Sequence, residues 1–341
     1  MAKMSLSVRY RPKTFEDMTE QSAIKNILEN QIKTKTFQHG YLFTGPSGTG
    51  KTTSARIFAS MINDGKGNPI EVDAASNSGV DNIRQIIEDA KRKPLDAEYK
   101  IFIVDECHSL SDSSWQALLK TLEEPPKFTI FIFCTTNPEK IPATILSRVQ
   151  RYNFQKISNE GIVKRLNDIL KRESEVSDSP ISWSTDAIEY IAKVSSGGMR
   201  DAITLLDKCL SLSNNVTLKN VLKTIGSEDY STFIRLLLNL ELKDRKHAIE
   251  IIENVYNSGK DVKQFMKDFA KFILEVEKYT IYGNFDYVNL PNTLESNLEQ
   301  LNSVDLFNVM DFVVSLNNQI KWENDARTLI ELSILIYCGK E

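Results

Sequence analysis

The sequence predicts a doubly wound α/β domain followed by two all-helical segments, and three observations carry that reading. Apolar strand runs alternate with amphipathic helices over the first 155 residues, the pattern of a parallel sheet with crossover helices. A glycine-rich stretch, Gly45-Pro46-Ser47-Gly48-Thr49-Gly50-Lys51-Thr52, joins one of these strands to a helix. From about residue 156 onward, the apolar residues recur at helical spacing.

The 341 residues are enough for two or three domains. With 41% hydrophobic and 26% charged residues, the composition is that of a soluble globular protein. No apolar run approaches the ~18 residues of a membrane span, and Met1-Ala2-Lys3-Met4-Ser5 lacks the apolar core of a signal peptide. A cytoplasmic protein is expected. Cys107, Cys134, Cys209 and Cys338 are scattered, with no C-x-x-C pair, which disfavours a zinc ribbon or a disulfide framework. Cys107 and Cys134 flank apolar strand runs and are read as buried small hydrophobes. The net charge of −4 is unevenly divided: residues 227–341 hold 12 Lys/Arg against 19 Asp/Glu, a net of −7, while the remainder holds 30 against 27, a net of +3. Any nucleic-acid contact therefore belongs to the first two-thirds, and the acidic last third suits assembly.

Taken in order, Arg9-Tyr10-Arg11-Pro12 begins an arm in which proline fixes an extended conformation. Its tyrosine either plugs the core or packs on a ligand's aromatic ring. Ser22 to Lys33 has helical spacing at Ile24, Ile27, Leu28 and Ile32. The strand Tyr41-Leu42-Phe43 leads into the glycine-rich stretch, and Thr53 continues into a helix. That arrangement has the G-x-x-x-x-G-K-[ST] spacing of a phosphate-binding loop. Gly45, Gly48 and Gly50 let the backbone N–H groups of the loop close around a phosphate chain, Pro46 having none to give, and the helix N-terminus adds positive potential. Lys51 reaches the terminal phosphates and the Thr52 hydroxyl binds Mg²⁺.

Ile70 to Asp73 is a short strand, and Ser76 to Ala90 reads as a helix with capping residues at its start. Arg84, Lys91, Arg92 and Lys93 follow along it; such a charge run is ordinarily a solvated face. Lys100 to Val104 is a buried strand ending in Asp105-Glu106, where α/β sheets place their ligands. Asp105 suits Mg²⁺, and Glu106 suits polarising an attacking water. Ser111 to Glu124 is a helix closed by Pro125-Pro126. Phe128 to Thr135 is a further strand, after which a polar side chain could sense a terminal phosphate. Gln150 to Phe154 is the last strand of the domain. Beyond it, Gly197-Gly198 stops one helix and Met199-Arg200-Asp201-Ala202 opens the next.

These motifs together resemble an AAA+ clamp-loader ATPase, as in the bacterial DNA polymerase III gamma/tau subunit and the replication factor C small subunits. The resemblance is carried by Arg9-Tyr10-Arg11-Pro12, the phosphate loop, Val104-Asp105-Glu106, Leu118-Leu119-Lys120-Thr121-Leu122-Glu123-Glu124-Pro125-Pro126, Ile145-Leu146-Ser147-Arg148 and Gly198-Met199-Arg200-Asp201-Ala202. It implies an AAA+ P-loop NTPase domain over 1–155, a helical lid over 156–226 and an all-α collar over 227–341. It also implies ATP and Mg²⁺ as ligands, with Arg9, Tyr10 and Pro12 near the adenine. Thr136 matches the first sensor, Arg200 the second sensor, and Arg148 an arginine finger acting on ATP held by a neighbouring subunit. Other loader subunits in a ring-like, pentameric assembly, a sliding clamp and primer–template DNA are the implied partners. Helices lining the loader channel make Ser76, Ser78, Arg84 and Ser111 candidate contacts to the DNA backbone.

The sequence departs from the family pattern in two places. The family's four-cysteine zinc cluster is replaced by a short loop over 61–70, so no zinc is expected, and the serine-arginine-cysteine triplet reads Ser147-Arg148-Val149. The compact, zinc-free form suits a viral or plasmid-borne loader as well as a cellular one, in a bacterial cell or an infected bacterial host. Two rival readings exist. Asp105-Glu106-Cys107-His108 resembles a helicase acidic box, although the helical second half leaves no room for a second motor domain. A non-catalytic loader scaffold is the other; Lys51, Thr52, Asp105, Glu106 and Arg200 argue against it.

Overall fold

The computed structural model describes residues 4–177, 179–225, 230–285, 287–291, 294–301 and 306–339. The elements run α1 (Leu6–Arg9), α2 (Ser22–Thr34), β1 (Gly40–Thr44), α3 (Lys51–Ile62), β2 (Ile70–Asp73), α4 (Val80–Ala90), β3 (Lys100–Asp105), α5 (Asp112–Glu123), β4 (Thr129–Thr135), α6 (Ala143–Leu146) and β5 (Gln150–Asn153). They continue with α7 (Asn159–Val176), β6 (Ser182–Trp183), α8 (Thr185–Val194), α9 (Met199–Leu212), β7 (Asn215–Val216), α10 (Leu218–Ile225), α11 (Tyr230–Glu241), α12 (Arg245–Asn257), α13 (Val262–Tyr282), α14 (Glu295–Leu301), α15 (Phe307–Ile320) and α16 (Ala326–Gly339). The chain divides into two compact units, Met1–Pro180 with Ile191–Lys208, and Ile181–Tyr190 with Cys209–Glu341.

In the first unit, β1 to β5 form one parallel sheet in the order β2-β3-β4-β1-β5. Side chains alternate faces along a strand, so a sheet buried on both sides needs apolar residues at nearly every position. That is what β1, β3 and β4 supply. Tyr41, Phe43, Ile101, Ile103, Ile130 and Ile132 enter the core under α2 and α3. Leu42, Phe102, Val104, Phe131 and Phe133 enter the opposite core, with Ile83, Trp115, Leu118 and Ile145 from α4, α5 and α6. Phe102, Phe131 and Phe133 stack across the second face at 5.1 and 6.0 Å between ring centres. The register sets Thr44 beside Thr135 and Asp73 beside Asp105, so the carboxyl ends of the strands share one edge.

The second unit is built on α13, whose Phe265, Met266, Phe269, Phe272 and Ile273 are buried against α11, α12, α15 and α16. Asp244 caps α12, accepting from His247 N at 3.1 Å. Asp261 caps α13, accepting from Lys263 N at 2.8 Å. Ser182–Trp183 and Asn215–Val216 pair as a two-residue parallel ladder, so the helical pattern expected after residue 156 is interrupted by two short strands. Two residues per strand are too few for a period-2 signal to emerge in sequence.

Two other local expectations are corrected. The helix expected from Ser76 begins at Val80, because Ser76 and Asn77 bond back to Asp73 instead of entering the helix. Part of the expected extended arm coils into the one-turn α1 just before Tyr10. The expected lid–collar boundary at 226/227 lies outside the described residues.

Candidate nucleotide site

The loop between β1 and α3 turns through three glycines at positive φ: 137° at Gly45, 72° at Gly48 and 103° at Gly50. A side chain at Gly45 would strike the Phe154 carbonyl oxygen, and one at Gly48 would come within 3.1 Å of Gly198 Cα. The Gly48 carbonyl accepts from Met199 N at 3.0 Å, fastening the loop to the start of α9. Glycine is required here both by conformation and by close approach.

Lys51 is buried, and its Nζ donates to the Gly45 and Pro46 carbonyls at 2.8 Å each. Burial pushes its ammonium below the ordinary lysine range, against the opposing pull of Cys134, Glu106 and Asp105. A buried cation satisfied by neutral carbonyls is chemically suited to receive an anion. Thr52 Oγ1 donates to Asp105 Oδ2 at 2.8 Å, so the hydroxyl and carboxylate needed for a divalent cation face each other. Among the described residues no three His, Cys, Asp or Glu side chains cluster as a metal site. The pair would leave most of the ion's positions to water and phosphate, as Mg²⁺ accepts.

Glu106 adopts φ 45°, and its backbone N donates to Asp105 Oδ1 at 3.0 Å. Thr136 Oγ1 donates to Glu106 Oε2 at 3.2 Å, and His108 Nδ1 lies 3.3 Å from the same oxygen and 3.0 Å from Thr135 Oγ1. Cys107 and Cys134 are fully buried below, their thiols pushed up by burial, as the sequence indicates for inert core cysteines.

A cavity of about 310 Å³ opens over this edge of the sheet. Ser47, Gly48, Thr49, Gly50, Lys51, Thr52 and Thr53 line it, with Asp105 and Glu106 at one side and Tyr10, Pro12, Met199 and Arg200 at another. Gly45 and Pro46 serve through their carbonyls rather than as lining. Arg9 is not in the wall; it donates to Glu173 Oε2 at 2.6 Å. Tyr10 Oη donates to Glu173 Oε1 at 2.5 Å, and Tyr10 is among the residues lining the cavity. Burial and the Glu173 bond push the Tyr10 phenol up to about 12.

Arg148 is elsewhere. It immediately precedes β5, whose Gln150 pairs with Tyr41 at the start of β1, so it lies at the amino edge of the sheet, away from the phosphate loop. There it donates to Glu123 Oε1 and the Thr144 carbonyl at 2.6 Å each. The four candidate DNA residues also lie outside the cavity. Ser76 donates to Asp73 at 2.9 Å, Arg84 pairs with Asp81 at 3.1 Å, and the Ser78 carbonyl accepts from Ser114 Oγ at 2.8 Å. Ser111 is the N-cap of α5, accepting from Ser114 N at 3.2 Å.

Sequence reasoning missed Glu173, Arg165, Asp207 and His108's contact with Thr135. Glu173 had a signal: it falls on the same buried face of α7 as Ile162, Leu166, Ile169 and Leu170, where a carboxylate needs a partner.

Comparison with known proteins bears on the family and the fold. A family model described as DNA polymerase III, delta subunit matches residues 69–158. DNA polymerase III subunit tau of Bacillus subtilis (strain 168) is 35% identical over 355 residues, covering 96% of this chain and 62% of that protein. DNA polymerase III subunit gamma of Buchnera aphidicola subsp. Acyrthosiphon pisum (strain APS) is 32% identical over 296 residues, covering 80% of each. The chain spans 62, 52 and 44% of the length of the Bacillus and the two Mycoplasma relatives. Among solved structures, the Thermotoga maritima RuvB Holliday junction branch migration motor aligns with TM-score 0.50 at 21% identity, over 74% of this chain and 86% of that one. At that identity the likeness concerns the AAA+ fold alone. With a relative of comparable length at 32% identity and the phosphate loop, acidic strand end and α9 arginine assembled on one sheet edge, this chain belongs to the DNA polymerase III gamma/tau family.

Proposed function

We propose that this chain is an ATPase motor subunit of a DNA replication clamp loader, using ATP binding and hydrolysis to open a sliding clamp and place it on primer–template DNA. In this reading residues 1–155 are the motor domain, 156–226 the lid and 227–341 the collar that joins neighbouring subunits. The observation that carries it is the split of the catalytic set: Lys51, Glu106 and Arg200 meet at one cavity, while Arg148 stands at the opposite edge of the same sheet. An arginine so placed lies away from its own loop and is positioned to complete a neighbour's.

Lys51 and the loop amides hold the phosphates of ATP, and Tyr10 and Pro12 face the base. Thr52 and Asp105 hold Mg²⁺, which neutralises phosphate charge when bound. Glu106 orients the attacking water and accepts its proton, and Thr136 holds the Glu106 carboxylate in place. Arg200 from the same chain and Arg148 from a neighbour stabilise charge on the transferred phosphoryl group. Arg148 must leave Glu123 to do so. Stimulation of turnover by DNA and clamp follows, because both partners order the ring that brings Arg148 to its target. The loop over 61–70 carries no cysteine, so the motor works without zinc. Ser76, Ser78, Arg84 and Ser111 track the DNA backbone from the exposed ends of α4 and α5, inside a pentameric ring in the bacterial cytoplasm.

The test is a pair of variants. Lys51→Ala loses ATP binding. Arg148→Ala keeps ATP binding but loses the DNA- and clamp-stimulated rate, by roughly 10³-fold or more for a finger arginine. Normal stimulated turnover in Arg148→Ala would overturn the shared-site reading.

A further inference from the structure

The cavity has a second wall that the phosphate chemistry leaves unused. Lys51, Thr52, Asp105 and Glu106 define its phosphate end. Beyond it the lining includes Ser7, Tyr10, Arg11 and Pro12 of the N-terminal arm, with Ile157 and Ile203 and the polar Arg56 and Arg165. An aromatic ring, a proline and two isoleucines suit the faces of a nucleobase. The arm has only the four-residue α1 as regular structure, too short to hold itself in place.

What holds it is a set of charged groups on two helices. Glu173 of α7, with its side chain 4% exposed, accepts from Arg9 Nη2 at 2.6 Å and from Tyr10 Oη at 2.5 Å. Arg165, two turns earlier on α7, donates to the Tyr10 carbonyl at 2.8 Å. Asp207 of α9 accepts from Leu6 N at 3.0 Å. A buried carboxylate is tolerated only when its charge is matched by well-placed donors, and Arg9 and Tyr10 of the arm are two such donors to Glu173. Position and charge are thus tied together: the arm satisfies Glu173, and Glu173 sets the register of Tyr10.

We propose that Glu173 is a positioning residue for the nucleobase, holding the arm through Arg9 and Tyr10 as the base-side wall of the nucleotide cavity. Arg165 fixes the backbone of the same residue, so the ring of Tyr10 is presented in one orientation. The hydrogen bonds from Glu173, Arg165 and Asp207 latch the arm to α7 and α9, and none of them runs to the phosphate loop. Losing this latch therefore weakens recognition of the base and leaves recognition of the phosphates unchanged. The inference rests on the reading of the cavity as an ATP site.

The experiment compares two ligands on the full chain by calorimetry: ATP, and inorganic tripolyphosphate, which has the phosphates but no base, both with Mg²⁺. Glu173→Ala is expected to weaken ATP by about tenfold or more, the effect of losing charge-assisted hydrogen bonds, with tripolyphosphate affinity unchanged. Glu173→Gln, of nearly the same volume, keeps the packing and is expected to give a smaller loss in ATP with the same selectivity. Lys51→Ala weakens both ligands. If both Glu173 variants lower ATP and tripolyphosphate alike, or leave ATP untouched, the positioning role is wrong. If the unsubstituted chain binds neither ligand, the ATP reading itself falls and takes this inference with it.

Discussion

Tyr10 joins a buried carboxylate to the cavity wall. Its hydroxyl donates to Glu173 and the residue lines the cavity, so the two roles weighed from sequence are compatible in one place. Burial and the Glu173 carboxylate raise its phenol from 10.0 to about 12. A group held more tightly protonated in the folded state contributes stability in full below its unfolded pKa and loses it as pH rises through the folded value. The stability difference between the unsubstituted chain and Tyr10→Phe is therefore expected to be constant near neutrality and to shrink between pH 10 and about 12. Denaturant melts across that range check it; a difference that stays flat to pH 12 would contradict the assigned bond. Lys51 is shifted the other way, by burial, and its site gains most from an incoming anion.

At the scale of elements, the phosphate loop is a joint as much as a cradle. Gly48 combines a left-handed φ of 72° with backbone contact to Gly198 and a bond to Met199 N. Gly48→Ala is expected to cost ~1–3 kcal/mol in strain and to weaken ATP binding, because the loop can no longer close on α9. Thermal melting and ATP titration read the two effects separately, and a variant with unchanged values on both would show that the loop has room the geometry denies. The α4 start teaches the same lesson in reverse. Ser76 and Asn77 are good capping residues, but their hydrogen bonds go to Asp73 at the end of β2, and Gly79 is left as an uncapped start. At α5 the cap works as the sequence suggests, with Ser111 accepting from Ser114 N.

At the scale of the whole molecule, the proposed catalytic set is divided between the two edges of one sheet. Arg148 is held by Glu123 at 2.6 Å on the edge of the sheet that the cavity does not reach. If neighbouring copies share sites, mixing the Lys51→Ala and Arg148→Ala variants under subunit exchange should restore part of the stimulated ATPase. An intact phosphate loop on one copy then meets an intact Arg148 on the other. Absence of any recovery would mean that copies of this chain do not complete one another. No described helix is long and apolar enough to cross a membrane.

Periodicity, turn chemistry and motif spacing are local, and they were enough for the five strands of the main sheet, most helix positions, the glycine-rich loop and the adjacent carboxylates Asp105 and Glu106. A buried strand must be apolar, and a phosphate loop must have glycine where φ is positive; both demands are written into adjacent residues. The order β2-β3-β4-β1-β5, the latch from Arg9 to Glu173 across 164 residues and the cis pairing of Arg148 with Glu123 are not local. They depend on which faces meet after the sheet has formed, and the same side chains would satisfy a solvated helix surface equally well. Glu173 lies between these cases. Its place on the apolar face of α7 marks it as needing a partner, and only packing names Arg9 and Tyr10 as that partner.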